Sequence, residues 1–122
     1  MTDAIALTGL RVRGFHGVLP EERRDGQDFV VDVVLSLDLT AAAATDDLTL
    51  TADYGVLAER LAAVVEGEAV DLLETLASRL ADVCLVPPVQ AVEVTVHKPS
   101  APIPRVFSDV SITVRRTAQP SR

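Results

Sequence analysis

Between Gln27 and Thr40 apolar residues recur at every second position: Phe29, Val31, Val33, Leu35, Leu37 and Leu39 share one side, opposite Asp32, Ser36, Asp38 and Thr40. A period of two sustained this long is a strand with one buried face. Nothing else in the chain limits the fold as strongly. At ~3.4 Å per residue such a strand runs on the order of 40 Å, so it needs partner strands and a layer to cover its apolar side.

Three further segments supply the partners. Asp3 to Arg13 places Ile5, Leu7 and Val12 in a first strand, irregular near Gly9. Gln90 to Lys98 alternates through Val92, Val94 and Val96, and Phe107 to Arg115 through Val110, Ile112 and Val114. Between these pairs the period changes. Leu57, Leu61, Val64 and Val65 form a helical stripe that begins at Tyr54, with Asp53 as its N-cap, and stops at Gly67. A second helix is predicted from Asp71 to Leu85, with Leu72, Leu73, Leu76, Leu80 and Val83 on its apolar side and Pro87-Pro88 as its breaker.

The remainder reads as connection. Gly14-Phe15-His16-Gly17 is a turn, Pro20 to Gly26 a charged linker, and Ala41 to Thr51 a connection with one short helical turn. Three prolines between Pro99 and Pro104 make a stiff loop, and residues 117–122 form a frayed tail. The predicted order is β-β-α-α-β-β: an α+β fold with an antiparallel four-stranded sheet and both helices on one face, in a single domain over 1–116. Sheet edges this long must be paired or covered, and closed self-association of several copies into a barrel does so.

Composition bounds the function. A chain of 122 residues, 48% hydrophobic, makes one modest core, and with 3% aromatics that core must be aliphatic. A net charge of -7 without a Lys/Arg stripe argues against nucleic acid and anionic membranes as partners. No apolar run approaches the ~20 residues of a membrane span, and the first residues carry Asp3 rather than a basic leader. A cytoplasmic protein is expected. The single cysteine, Cys84, sits among apolar neighbours and reads as a core residue.

The landmarks Gly14-Phe15-His16-Gly17, Pro20-Glu21-Glu22-Arg23, Asp53-Tyr54-Gly55, Asp71-Leu72-Leu73-Glu74, and His97-Lys98-Pro99 followed by Ala101-Pro102-Ile103-Pro104 resemble the dihydroneopterin aldolase family in order and spacing. The resemblance runs from about Ile5 to Arg115. It implies the tunnel fold, rings of four subunits commonly stacked as eight, and active sites between neighbouring subunits. It also implies a lyase of folate synthesis that splits 7,8-dihydroneopterin into 6-hydroxymethyl-7,8-dihydropterin and glycolaldehyde, with C2′ epimerisation as a side activity. The substrate's own N5=C6 imine accepts the electrons of the broken C–C bond, so only proton transfers are asked of the protein, and no metal or cofactor is expected.

Each residue that the resemblance singles out has a plainer reading beside it. Glu74 matches the pterin anchor, its carboxylate accepting from the ring's N3–H and 2-amino group as a fork, yet Asp71-x-x-Glu74 also has capping-box spacing. Backbone N–H groups of Leu73 and Glu74 would face the pterin carbonyl. Lys98 matches the catalytic lysine, or is a solvated charge at a strand end. Glu22 would pair with it, and only spacing prefers Glu22 over Glu21. Tyr54 matches the family's acid/base, or simply packs at a helix start. Val18, Thr51, Ala52 and Asp53 would line the pterin from the neighbouring subunit. His16 is expected to shape its loop and His97 to lie on the strand surface. Two separated histidines do not suit the zinc-dependent relatives of this fold, the pyruvoyl-tetrahydropterin synthases and GTP cyclohydrolases. A dihydroneopterin triphosphate epimerase would need a basic cluster, for which the site loop offers Arg23-Arg24. A non-catalytic pterin-binding scaffold is the remaining alternative.

Overall fold

The computed structural model describes residues 2–119. Its sheet has the strand order β1-β2-β3-β4, antiparallel throughout. Strand β1 is Asp3–Gly14 and β2 is Gln27–Leu37. Their pairing shifts register between Leu7 and Leu10, where Gly9 takes φ 78°, so the irregularity expected there is a bulge. Strand β3 is Ala91–His97 and β4 is Ser111–Thr117.

Two strands differ in extent from the sequence reading by more than one residue. Strand β2 stops at Leu37 rather than Thr40, because Asp38 Oδ1 accepts the Thr40 N–H at 2.9 Å and turns the chain into a short helix. Strand β4 starts at Ser111 rather than Phe107 and runs on to Thr117. Its partner sets both limits, since Ser111 lies opposite His97 and Thr117 opposite Ala91, and Pro99 cannot extend the ladder. Of the tail expected over 117–122, residues 120–122 lie outside the described residues.

Helix α1, Pro20–Asp25, occupies the stretch read as a charged linker. Its signals were present: Pro20 at the first position, Glu21 and Glu22 in the first turn, Arg23 and Arg24 in the last, and Gly26 past the end. Helix α2 is Thr40–Thr45, and a 3₁₀ turn follows at Leu48–Leu50. Helices α3, Tyr54–Glu66, and α4, Leu73–Cys84, are the two long ones. Helix α3 packs on β1, and α4 on β3 and β4. Phe29, Val31, Val33, Leu35 and Leu37 of β2 bury their side chains beneath this layer, with Leu61, Val65, Leu76 and Leu80 above them. Cys84 is buried as expected, and burial pushes its thiol up to about 11. Among the described residues no helix is long and apolar enough to cross a membrane.

Candidate active site

The loop after β1 folds under the C-terminal end of α3. His16 is buried there, its Nε2–H donating to Val65 O at 2.7 Å and its Nδ1 accepting from the Val70 N–H at 3.1 Å. An imidazole that donates through one nitrogen and accepts through the other is neutral. Burial, joined by nearby cations, pushes its pKa below the ordinary value. His16 shapes its loop as a neutral side chain.

Glu22, the third residue of α1, is buried. Its Oε1 accepts the Leu19 N–H at 3.3 Å, reaching back to the helix start as the glutamate of a capping box does. Its Oε2 accepts from the Gln27 amide at 3.1 Å and pairs with the Lys98 ammonium. The side chains of Lys98 and Glu22 are only 12% and 6% exposed, so little water screens the pair. Burial pushes the Glu22 carboxyl upward, but Lys98, the Leu19 N–H and the Gln27 amide outweigh it and hold its pKa below the ordinary value. Glu21, one position earlier on the helix, is exposed. Gly17 is required beside them: at φ 147° its N–H donates to Val70 O at 2.9 Å, and a Cβ there would overlap the Glu22 carboxylate. The buried Gln27 Oε1 has no partner among the described residues. Gln27 was not anticipated, since nothing in the sequence marks it apart from its place at the start of β2.

Helix α4 begins against this corner. Arg23 donates through Nε to Gly17 O at 3.0 Å and through a terminal nitrogen to Asp71 Oδ1 at 2.5 Å. Asp71 is thereby turned to Arg23 and does not cap the helix. The N-cap position falls to Leu72, which has no side-chain acceptor, so the Asp71-x-x-Glu74 capping box does not form. Glu74 lies exposed in the first turn, beside backbone N–H groups that no side chain caps. Val18 is 65% exposed on the loop between Gly17 and α1.

Tyr54 stands at the other end of α3. Asp53 Oδ1 caps that end by accepting the Val56 N–H at 3.2 Å, as predicted. Thr51, Ala52 and Asp53 border an apolar cleft of ≈ 220 Å³ with Leu35, Leu57 and Val89. Tyr54 is 63% exposed and Val56 47%. Helix α3 separates the two groups: at ~1.5 Å per residue, Tyr54 and Val65 are roughly 17 Å apart along the axis, and Val65 marks the Glu22–Lys98 end. Within one chain the candidate residues thus form two clusters, Val18, Glu22, Asp71, Leu73, Glu74 and Lys98 at one end and Thr51, Ala52, Asp53 and Tyr54 at the other. Val18 lies on the loop that leads into α1, the segment that carries Glu22.

The sequence model of the dihydroneopterin aldolase family matches residues 5–115. The chain belongs to the dihydroneopterin aldolase family. It is 58% identical to a dihydroneopterin aldolase of Streptomyces coelicolor, over 94% of this chain and 98% of that one. It is 43% identical to the dihydroneopterin aldolase of Bacillus subtilis, over 93% and 97%. Its fold matches that of Escherichia coli dihydroneopterin aldolase in complex with neopterin with a TM-score of 0.85, at 27% identity and covering 93% of this chain and 98% of that one.

The family's reaction, a lyase step of folate biosynthesis, is therefore that of this chain, and all candidate residues fall within the matched span. In the site loop, Arg23 is engaged by Asp71 and Gly17, and Arg24 by Asp25. His97 is not the plain surface residue expected: it is three-quarters buried and bonded through both ring nitrogens.

Proposed function

We propose that this aldolase cleaves 7,8-dihydroneopterin by proton transfer alone, in a site that Glu22, Lys98 and Glu74 of one subunit share with Tyr54 of the next. The observation that carries the reading is the buried Glu22–Lys98 pair set beside an uncapped, exposed helix start. Glu74 accepts from the pterin N3–H and 2-amino group as a fork, while the free N–H groups of Leu73 and Glu74 donate to the ring carbonyl. Asp71 contributes through Arg23, which fixes the α4 start. Lys98 then lies near N5 and the side-chain hydroxyls. Lys98 takes the C2′ hydroxyl proton as it gives its own to N5; the C1′–C2′ bond breaks, and C2′ with C3′ leaves as glycolaldehyde. The electron pair moves through C1′=C6 onto N5, which takes a proton from Lys98. Tyr54 protonates C1′ of the resulting enol and recovers a proton from N5 through water, which restores the imine. Glu22 holds Lys98 in place and contacts the substrate side chain.

Val18 lines the same pocket from the Glu22 side, and Thr51, Ala52 and Asp53 from the Tyr54 side. The separation of the two clusters along α3 supports a homo-oligomer, a tetramer or an octamer, in which one subunit's Tyr54 end meets its neighbour's Lys98 end. Neighbours with open sheet edges can close a ring in this way. Epimerisation at C2′ follows if the departing aldehyde rotates and adds back before it leaves. A cytoplasmic location completes the reading. The test is incubation with 7,8-dihydroneopterin and assay for glycolaldehyde, expected in one-to-one yield with 6-hydroxymethyl-7,8-dihydropterin. Absence of glycolaldehyde from a correctly assembled protein would refute it.

A further inference from the structure

The sheet face away from the helices carries a charged cluster that the cleavage does not use. His97 Nδ1 lies 2.6 Å from Asp109 Oδ2, and Nε2 lies 2.7 Å from Asp32 Oδ2. Two carboxylates can both accept from one imidazole only if both nitrogens donate, which is the imidazolium. Asp32 lies in mid-β2, and its other oxygen accepts the Gly9 N–H at 2.7 Å, at the β1 bulge. Asp109 lies in the loop before β4. One imidazolium therefore ties the end of β3 to β2, to the bulge of β1 and to the loop that leads into β4. With both nitrogens committed, the ring has none to offer a metal.

Lys98 is the next residue. Neighbours on a strand point to opposite faces, so His97 is gripped on the open face while Lys98 meets Glu22 on the helical one. The peptide between them is shared. Past Lys98 the ladder ends, because Pro99 has no N–H. The Lys98 N–H still donates to Val110 O at 2.7 Å, one residue after Asp109, and the Lys98 carbonyl accepts the Ala101 N–H at 3.1 Å. We propose that His97, clamped between Asp32 and Asp109, is a positioning residue for Lys98, fixing the end of β3 and the Asp109 loop so that the ammonium is held at the reacting atoms. This rests on the reading of Lys98 as the proton carrier.

The clamp has a sign in pH. Its bond to Asp109, then that to Asp32, raises the His97 pKa against the opposing effect of burial. Burial pushes Asp32 upward, but the Gly9 N–H and His97 outweigh it and hold it low. Around His97 on this face are Asp32 and Asp28 of β2, with Arg11 and Arg13 of β1 held to Asp28, and Asp109 of the loop. Farther along β3 and β4, Glu93 pairs with Arg115, and the uncharged Ser111 lies opposite His97. The clamp is fully formed below the unfolded histidine value and is lost as pH rises through the raised folded value.

The test measures 7,8-dihydroneopterin turnover across pH for His97→Leu and Asp109→Asn, with oligomer size and the His97 NMR titration recorded. His97→Leu should lower kcat roughly 10-fold, a fraction of what an ångström of misplacement can cost, with KM within about 3-fold. The alkaline fall in wild-type kcat that follows imidazolium deprotonation should vanish. Asp109→Asn should move the His97 midpoint and that alkaline limb down together, and this variant carries the test if His97→Leu fails to assemble. An altered melting temperature with kcat and pH profile unchanged would overturn the proposal, because it would make the clamp structural only. Lys98→Ala separates the failures. If it stays fully active, the role of Lys98 falls and the inference with it; if it is inactive while the His97 and Asp109 variants match wild type, only the inference falls.

Discussion

The two ends of α3 are built on opposite terms. At the Val65 end, His16, Glu22 and Lys98 are withdrawn from water, and each is held by partners inside the same chain. At the Tyr54 end, Tyr54, Val56, Leu48 and Leu50 stand in solvent, and the organising side-chain bonds are the exposed caps from Asp53 and Asp47. Burying a polar group is costly unless its bonds are made, so the first end must be completed as the chain folds. Clustered exposed apolar groups carry the opposite implication and call for a covering surface. One end is pre-organised by folding, and on the proposed reading the other is completed by a neighbouring subunit.

The largest effect should come from mixing subunits. Lys98→Ala and Tyr54→Ala should each lower turnover by roughly 10²–10⁴, the usual worth of a positioned proton carrier. Rings reassembled from equal amounts of the two should recover about a quarter of wild-type activity, because one interface in four then joins two intact halves. No recovery would mean that Tyr54 and Lys98 do not meet across an interface. Next in size is Glu22→Ala, which strands Lys98 in a nearly dry corner and removes a helix-start acceptor. A loss of about 3 kcal/mol in urea unfolding is expected, as for breaking other buried pairs; a loss near zero would mark the closed end as no more organised than the open one.

Glu74→Ala should weaken pterin binding by about 1.5–3 kcal/mol, the worth of a charge-assisted bond, with the melting temperature unmoved because Glu74 caps nothing. Calorimetric titration with neopterin reads the first, and a drop in melting temperature without weaker binding would restore the capping role. Asp53→Ala should cost about 1 kcal/mol of stability as a lost N-cap, measurable by denaturant midpoint and confined to the Tyr54 end in hydrogen exchange. The smallest effect is one of pH. The depressed His16 pKa keeps its contribution intact above the ordinary value of about 6.5, and that contribution is lost as pH falls below it toward the folded value. Glu22, also depressed, adds its loss further into the acid range. A urea midpoint that rose on acidification through this window would contradict the neutral, buried His16.

Much of this was legible in the residues. The alternation in β2 and β3, the helical stripe of α3 and its Asp53 cap are local patterns, and they appear in the structure within a few residues. Helix α1 was missed although its proline, acidic first turn and terminal glycine were present, because a proline and five charged residues offer no apolar period. The choice of Glu22 over Glu21 was made on spacing and is made in the fold by helix rotation, which turns one carboxylate inward to Lys98 and leaves its neighbour in water. The capping spacing at Asp71-x-x-Glu74 misled for a tertiary reason: Arg23, from a distant helix, engages Asp71. His97 looked like an ordinary strand-surface residue because its two carboxylates come from a neighbouring strand and a loop.

By itself the sequence determined the four strands and the two long helices, the aliphatic core, the long unpaired edges and the family, since periodicity and composition act through near neighbours and through solvent. Only the tertiary structure decided which carboxylate meets Lys98, that Glu74 is free of the helix cap, and that His97 is held between two carboxylates. Those outcomes depend on which distant groups are packed together out of water, where an ion pair or a hydrogen bond is decided by its partner and not by its own neighbours in the chain.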